Sequence, residues 1–211
     1  FWFVFVFGMT ERKLPERAHS KKRTITSVVD KPIPQGREVS LSAFSHLFSE
    51  LVQYCRTRVD TVEALEGRLS DAGFQVGIRQ LELLASREKN NRKETNLIQI
   101  LQFIHTTAWR VLFGKPADGL EKSTERPDEY FISDRDPLTN LFISVPKELG
   151  QLNCSSFMAG IVQGMLTAAN FPATVTAHTV ATEVVHRPRT VFVVRFDPHV
   201  IERDRKLTGV Q

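Results

Sequence analysis

The chain has 211 residues, 41% of them hydrophobic and 25% charged, the ordinary balance of a globular protein with room for one substantial core. No stretch approaches the roughly 18 apolar residues of a membrane-spanning helix. The net charge of +4 and pI near 9.2 raise nucleic acid as a partner. However, residues 9–37 hold eight Lys/Arg against three Asp/Glu, so the remainder is slightly acidic and gives no support to a nucleic-acid groove.

The opening run Phe1–Phe7 is apolar but lacks a basic flank and a small-residue cleavage site, and it reads as translation upstream of Met9 rather than a signal peptide. From Thr10 to Arg37 the sequence is polar, basic and broken by Pro15, Pro32 and Pro34, with little apolar surface to bury. Residues 1–37 are therefore expected to form a disordered basic arm, with peripheral membrane contact through its cations. Residues 38–211 are expected to form a single α+β domain.

Order is expected from Ser40, an N-cap before Leu41, Phe44, Leu47, Phe48, Leu51, Val52 and Cys55 at helical spacing. A second, shorter helix follows Thr61 with Val62, Leu65 and Leu69 on one stripe, and Asp71-Ala72-Gly73 reads as its stop. A third helix carries Phe74, Val76, Ile78, Leu81, Leu83 and Leu84, a surface broad enough to predict burial on more than one side. The fourth is expected over Glu94–Phe113, stopped by Gly114, and Lys115–Asp128 reads as a loop.

Strands are then predicted at Glu129–Ser133 and Leu138–Val145, joined by an Asp134-Arg135-Asp136-Pro137 hairpin connection and closed by Pro146. Asn153 is expected to cap an apolar helix through Phe157, Ile161, Val162, Met165 and Leu166, which Pro172 ends. Strands at Ala173–Val180 and Thr190–Phe196 and a charged helix from Asp197 to about Leu207 complete the order. This order predicts an α+β fold with helices packed on one side of a four-stranded, mainly antiparallel sheet.

Chemistry leaves few traces. The chain lacks GxGxxG, P-loop, HExxH, GxSxG and EF-hand patterns. Two cysteines, without CxxC or zinc spacing, suggest neither a disulfide framework nor a metal site. Cys154 is read at the first turn of a helix, where the macrodipole lowers a thiol pKa, but a small apolar thiol facing a core explains it without a partner base. Cys55 takes the same core reading. Asp134 and Asp136 are explained by turn chemistry, and His178, His186 and His199 share no ligand spacing. Neither a cofactor nor catalysis is expected. More informative are Gly73/Gly77 and Gly160/Gly164, two pairs four apart, each leaving a notch on one helical face where another backbone can approach. Spacing leaves open whether that approach is internal or from another chain.

Several blocks resemble the transport protein particle (TRAPP) small-subunit family. Gly73-Phe74-Gln75-Val76-Gly77-Ile78-Arg79 is similar to its Gly-aromatic-x-x-Gly-x-Arg segment. Leu152-Asn153-Cys154-Ser155-Ser156-Phe157-Met158-Ala159-Gly160-Ile161-Val162, followed by Asn170-Phe171-Pro172-Ala173-Thr174-Val175-Thr176-Ala177-His178, forms a second signature. Glu38–Phe44, Trp109–Lys115 and Ile143–Glu148 extend the resemblance over about Glu38–Leu207. It implies a non-catalytic scaffold subunit of a tethering complex, cytoplasmic and peripheral at early Golgi and endoplasmic reticulum membranes. Its implied partners are sister small subunits, met through helix faces, and a Rab GTPase, met through the assembled complex in ER-to-Golgi transport. The close-packing or interface candidates are Gly73, Phe74, Gly77, Arg79, Asn153, Cys154, Phe157, Gly160 and Gly164. The alternative is an apolar-ligand or acyl-binding module. A sibling subunit's acylated cysteine has no counterpart in Ser86–Thr95, and the Ala181–Arg189 connection is longer than the turn expected there.

Overall fold

The computed structural model describes residues 40–87, 95–182 and 185–209. The expected basic arm lies outside the described residues. Helix α1 spans Leu41–Arg56, and Ser40 Oγ accepts from the Ala43 N–H at 3.3 Å as the expected N-cap. Only Phe48 and Cys55 of its apolar positions are fully buried.

Helix α2 runs unbroken over Val62–Arg87, 26 residues, about 39 Å at 1.5 Å per residue. The two helices expected on either side of Gly73 are therefore one. Gly73 does not adopt the left-handed conformation of a helix stop, which among the described residues belongs to Gly114, Gly209 and Asn170. A mid-helix glycine costs about 1 kcal/mol relative to alanine, and the packing described below offsets it. The second half of α2 is buried mainly along Gly73, Gly77, Gln80 and Leu84, with Ile78, Leu81 and Leu83 half-exposed. The burial expected on several sides is thus confined to one stripe.

The fourth predicted helix appears as α3 (Leu97–Phe103), a π-turn (Ile104–Ala108) and α4 (Trp109–Phe113), ended by Gly114 at φ 80°. Asp204 Oδ1 accepts from the Leu97 N–H at 2.9 Å, which caps α3 from a distant element. Within the π-turn the His105 carbonyl accepts from the Ala117 N–H at 3.1 Å and anchors the following loop.

Strand β1, Gly119–Lys122, falls inside the expected loop. It pairs with β2, Glu129–Asp134, from Gly119↔Ser133 to Lys122↔Tyr130. The predicted strand Leu138–Val145 is instead a short helix, α5 (Leu138–Leu141), and an irregular segment leading to a 3-10 turn at Lys147–Leu149. The reason is spatial: β1 takes one edge of β2 and β4 takes the other, so the hairpin partner has no edge to join. Ile143, Val145 and Leu149 turn instead onto a cluster with Leu152 and Cys154.

Helix α6, Ser156–Ala168, is apolar nearly all round and buried accordingly. Strands β3 (Ala173–Thr182) and β4 (Val185–Phe196) extend toward each other through most of the expected connection. All pairings are antiparallel, in the order β1-β2-β4-β3. Helix α7, Pro198–Thr208, ends the described chain, with Pro198 at its first turn and Gly209 in the left-handed region.

Alternation along the strands sends Tyr130, Ile132, Phe192, Val194 and Phe196 to one side of the sheet, into the main core with Leu101, Trp109, Met158, Leu166 and Val200. Phe131, Val191 and Val193 face the other way, half-exposed. A second core lies between α1, the first half of α2 and residues 143–157, and Phe157 packs against both.

Candidate functional site

The glycines that the sequence places at two helical notches meet one another. Adding a Cβ at Gly73 would drive it into the Phe157 carbonyl, and at Gly77 into the Ile161 carbonyl. Reciprocally, a Cβ at Gly160 would strike the Ser70 carbonyl and one at Gly164 the Phe74 carbonyl. The contacts advance together along both helices, so α2 and α6 run in the same sense with backbones touching. The notches are filled within the chain, and they are not open to another backbone.

Helix α6 begins at Ser156, and Asn153, three residues earlier, caps the turn that leads into it. Its Oδ1 accepts from the Ser155 N–H at 3.0 Å, its Nδ2 donates to the Ala177 carbonyl at 3.1 Å, and its own N–H donates to Glu66 Oε1 at 2.7 Å. One side chain and one amide thereby join α2, the lead into α6 and β3. The rest of that β3 stretch is tied by Gln163, whose Oε1 accepts from the Val175 N–H at 3.2 Å.

Cys154 sits in the turn before α6, 2% exposed. Burial, with Glu66 adding to it, pushes its thiol up to about 11. A protonated, enclosed thiol is the reverse of the activated nucleophile that a position in the helix's first turn would imply. Burial likewise raises the Cys55 thiol, against opposing pulls from Arg68 and Arg58. Both cysteines belong to the second core.

Asp134 is fully buried, and its oxygens are committed: Oδ2 to the Trp109 Nε1–H at 2.9 Å, Oδ1 to Lys115 Nζ at 2.6 Å and to the Asp136 N–H at 3.1 Å. This carboxylate pins the end of β2 to α4 and, fully buried, presents no surface to a substrate. His178 Nε2 lies 2.9 Å from Thr176 Oγ1, and His199 is 4.0 Å from Asp197. Among the described residues no three metal-ligating side chains come together.

Among the remaining candidates, Phe74 and Phe157 are half-buried. Arg79 is exposed and donates to the Gln75 carbonyl of its own helix at 2.9 Å. The structure adds a surface that the sequence reading did not separate. On α1, Leu47 is 41% and Tyr54 56% exposed, with half-buried Phe44 one step before them and Leu51 between them in the row. This row has the 3-4-3 spacing of a helix-packing seam. Its signal in the sequence is the width of the α1 apolar arc, which exceeds what α2 covers.

The model of the family "Transport protein particle (TRAPP) component" matches residues 44–197. Trafficking protein particle complex subunit 5 of Dictyostelium discoideum is 54% identical over 84% of this chain and 96% of its own length. Subunit 5 of Homo sapiens is 49% identical over 96% of this chain and 97% of its own. Trafficking protein particle complex subunit 31 of Saccharomyces cerevisiae is 31% identical over 80% and 79%. A crystal structure of subunit 3 from Naegleria fowleri, covalently bound to palmitic acid, shares the fold with a TM-score of 0.63 at 17% identity, covering 74% of this chain and 95% of that one. With the family model spanning most of the described fold and relatives this similar over nearly their whole length, the chain belongs to the transport protein particle (TRAPP) component family.

Proposed function

We propose that this chain is a non-catalytic scaffold subunit of the TRAPP tethering complex, serving vesicle traffic between endoplasmic reticulum and Golgi. The observation that carries the reading is the exposure of Leu47 and Tyr54, beside half-buried Phe44 and Leu51, on one face of α1, which leaves apolar surface in water unless another subunit covers it. Sister small subunits dock there through their own helices, and the assembled surface meets the Rab GTPase during nucleotide exchange. The chain works in the cytoplasm, at the surface of early Golgi and endoplasmic reticulum membranes. Residues 38–211 act as one domain, and the basic stretch 9–37 draws the assembly toward anionic headgroups.

A role without catalysis fits what the candidate residues do. Cys154 is shielded and protonated, and Asp134 is consumed by structural bonds. The acyl-binding alternative finds little footing in this chain: Cys55 and Cys154 are both buried in packed apolar surroundings, and Ser86–Thr95 has no cysteine. Tagging the chain in cells and weighing the intact complex tests the scaffold reading. Sister subunits in fixed ratio are expected, with aggregation when the chain is made alone and rescue on co-expression. A stable monomer that copurifies with nothing refutes it.

A further inference from the structure

Beyond Tyr54 the α1 row reaches one more step. Arg58 stands four residues on, just past the helix end at Arg56, so the spacing of Phe44, Leu47, Leu51 and Tyr54 closes on a guanidinium. Its Cζ lies 3.5 Å from the centroid of the Tyr54 ring, and its Nη1 donates to the Tyr54 carbonyl at 3.0 Å and to Thr57 Oγ1 at 3.3 Å. Ring stacking and these bonds hold the group in one place, while its Nε and Nη2 donors meet no acceptor among the described residues.

Arg58 is not alone at this end of the face. Arg56 occupies the last turn of α1, and Arg68 of α2 lies close enough to act, with Arg58, on the Cys55 thiol. All three arginines are exposed, and none makes an ion pair among the described residues. Asp60, the one acid in the connection 57–61, pairs with none of them. A helix C-terminus favours a cation, but Arg58 already caps the Tyr54 carbonyl, so positive charge is left unmatched where the apolar row ends.

We infer that the sister helix seated on α1 carries an aspartate or glutamate where its own apolar row meets Tyr54, and that Arg58 receives this carboxylate. The open Nε–H and Nη2–H form the planar fork that a carboxylate fits with two parallel bonds, and a Tyr–Arg pair beside apolar surface is the usual make-up of an interface anchor. A protein helix fits better than a bilayer: a helix that lies on membranes carries Lys/Arg along its polar face, whereas within α1 Arg56 is the sole Lys or Arg and Glu50 is exposed. The inference rests on the scaffold reading above and names the partner's chemistry at one end of that face.

The test uses the co-expressed complex. A photo-cross-linking residue at Thr57 is expected to give products on one helix of a sister subunit, within a turn of an Asp or Glu. Arg58→Glu is expected to lower recovery of that subunit about tenfold, and changing the mapped acid to lysine to restore it. Leu47→Asp, measured in parallel, reports on the α1 face as a whole. If Arg58→Glu fails to fold, a double-mutant cycle of Arg58→Gln with the mapped acid's amide decides, and losses that simply add overturn the inference. Loss with Leu47→Asp but unchanged recovery with Arg58→Glu, products away from any acid, or no restoration by the paired reversal in a folded variant overturns the inference and leaves the scaffold reading standing. An intact Arg58→Glu complex that no longer sediments with phosphatidylserine–phosphatidylcholine vesicles gives the site to lipid and overturns it as well. Unchanged recovery with both Leu47→Asp and Arg58→Glu overturns both.

Discussion

Replacing Gly77 with alanine puts a methyl group inside 3.0 Å of the Ile161 carbonyl carbon and oxygen and at 3.0 Å from the Met165 nitrogen. All are main-chain atoms of α6, so no rotamer change relieves the clash and the two helices must separate. A radial gap of about 0.5–1 Å forfeits a quarter to a half of each dispersion contact, and overpacking of this kind costs about 1–3 kcal/mol or more. Alanine's better helix propensity returns about 1 kcal/mol. Because α6 also backs the sheet, separation is felt in the main core, and a net loss near the upper end, about 2 kcal/mol, is expected. For a chain of this size that lowers Tm by about 4–8 °C. Gly67→Ala is the control in the same helix: with open space around it, only the propensity gain of about 1 kcal/mol remains, and Tm rises by a few degrees. Thermal melts of both variants by circular dichroism, in complex with the same co-expressed partners, compare them directly. If Gly77→Ala stabilises as Gly67→Ala does, the backbone contact between α2 and α6 is not as described. Gly73→Ala added to Gly77→Ala should cost less than the sum, because the first substitution has already opened the seam.

Trp109→Phe removes one of the three donors to buried Asp134, and a loss of about 1–3 kcal/mol is expected in chemical denaturation; no loss would mean that water replaces the indole. The Cys154 thiol stays protonated in the fold up to about 11, whereas the unfolded chain releases it from 9.0. Stability from this group is therefore complete below pH 9 and lost as pH rises from 9 toward 11, and the alkaline decline should be shallower in Cys154→Ala than in the parent; parallel declines refute the assignment. The same burial predicts that a thiol reagent labels native Cys154 only as fast as the fold opens, and burst labelling at neutral pH would contradict it. Leu47→Asp with Tyr54→Ser should leave the α1 helical signal intact and reduce recovery of sister subunits about tenfold or more; unchanged recovery removes α1 as a docking face.

Much of the fold was legible because local signals and tertiary packing agreed. Ser40 followed by an apolar row announces α1, Gly114 and Gly209 stop their helices, and the alternation in Glu129–Ser133 and Thr190–Phe196 marks paired strands. Gly73 misled because Asp-Ala-Gly is a local stop signal, whereas its use is a contact with Phe157, 84 residues away. The four-stranded sheet was foreseen with one wrong member: Leu138–Val145 has strand propensity but no free edge, and Gly119–Lys122 has poor propensity but does have an edge. Asn153 reads as a cap because asparagine before an apolar helix commonly is one, and it makes that bond, but only the approach of β3 and Glu66 shows what else it ties together.

The sequence by itself determined the order of helices and strands, which faces are apolar, where the small residues fall, and a resemblance specific enough to point to the family. Tertiary structure alone decided which faces meet. A helical period defines a stripe without naming its partner, and local propensities of up to about 1 kcal/mol per residue give way wherever a distant element offers more burial. That is why the paired glycines proved to be a seam between α2 and α6, and why apolar side chains of α1 remain exposed.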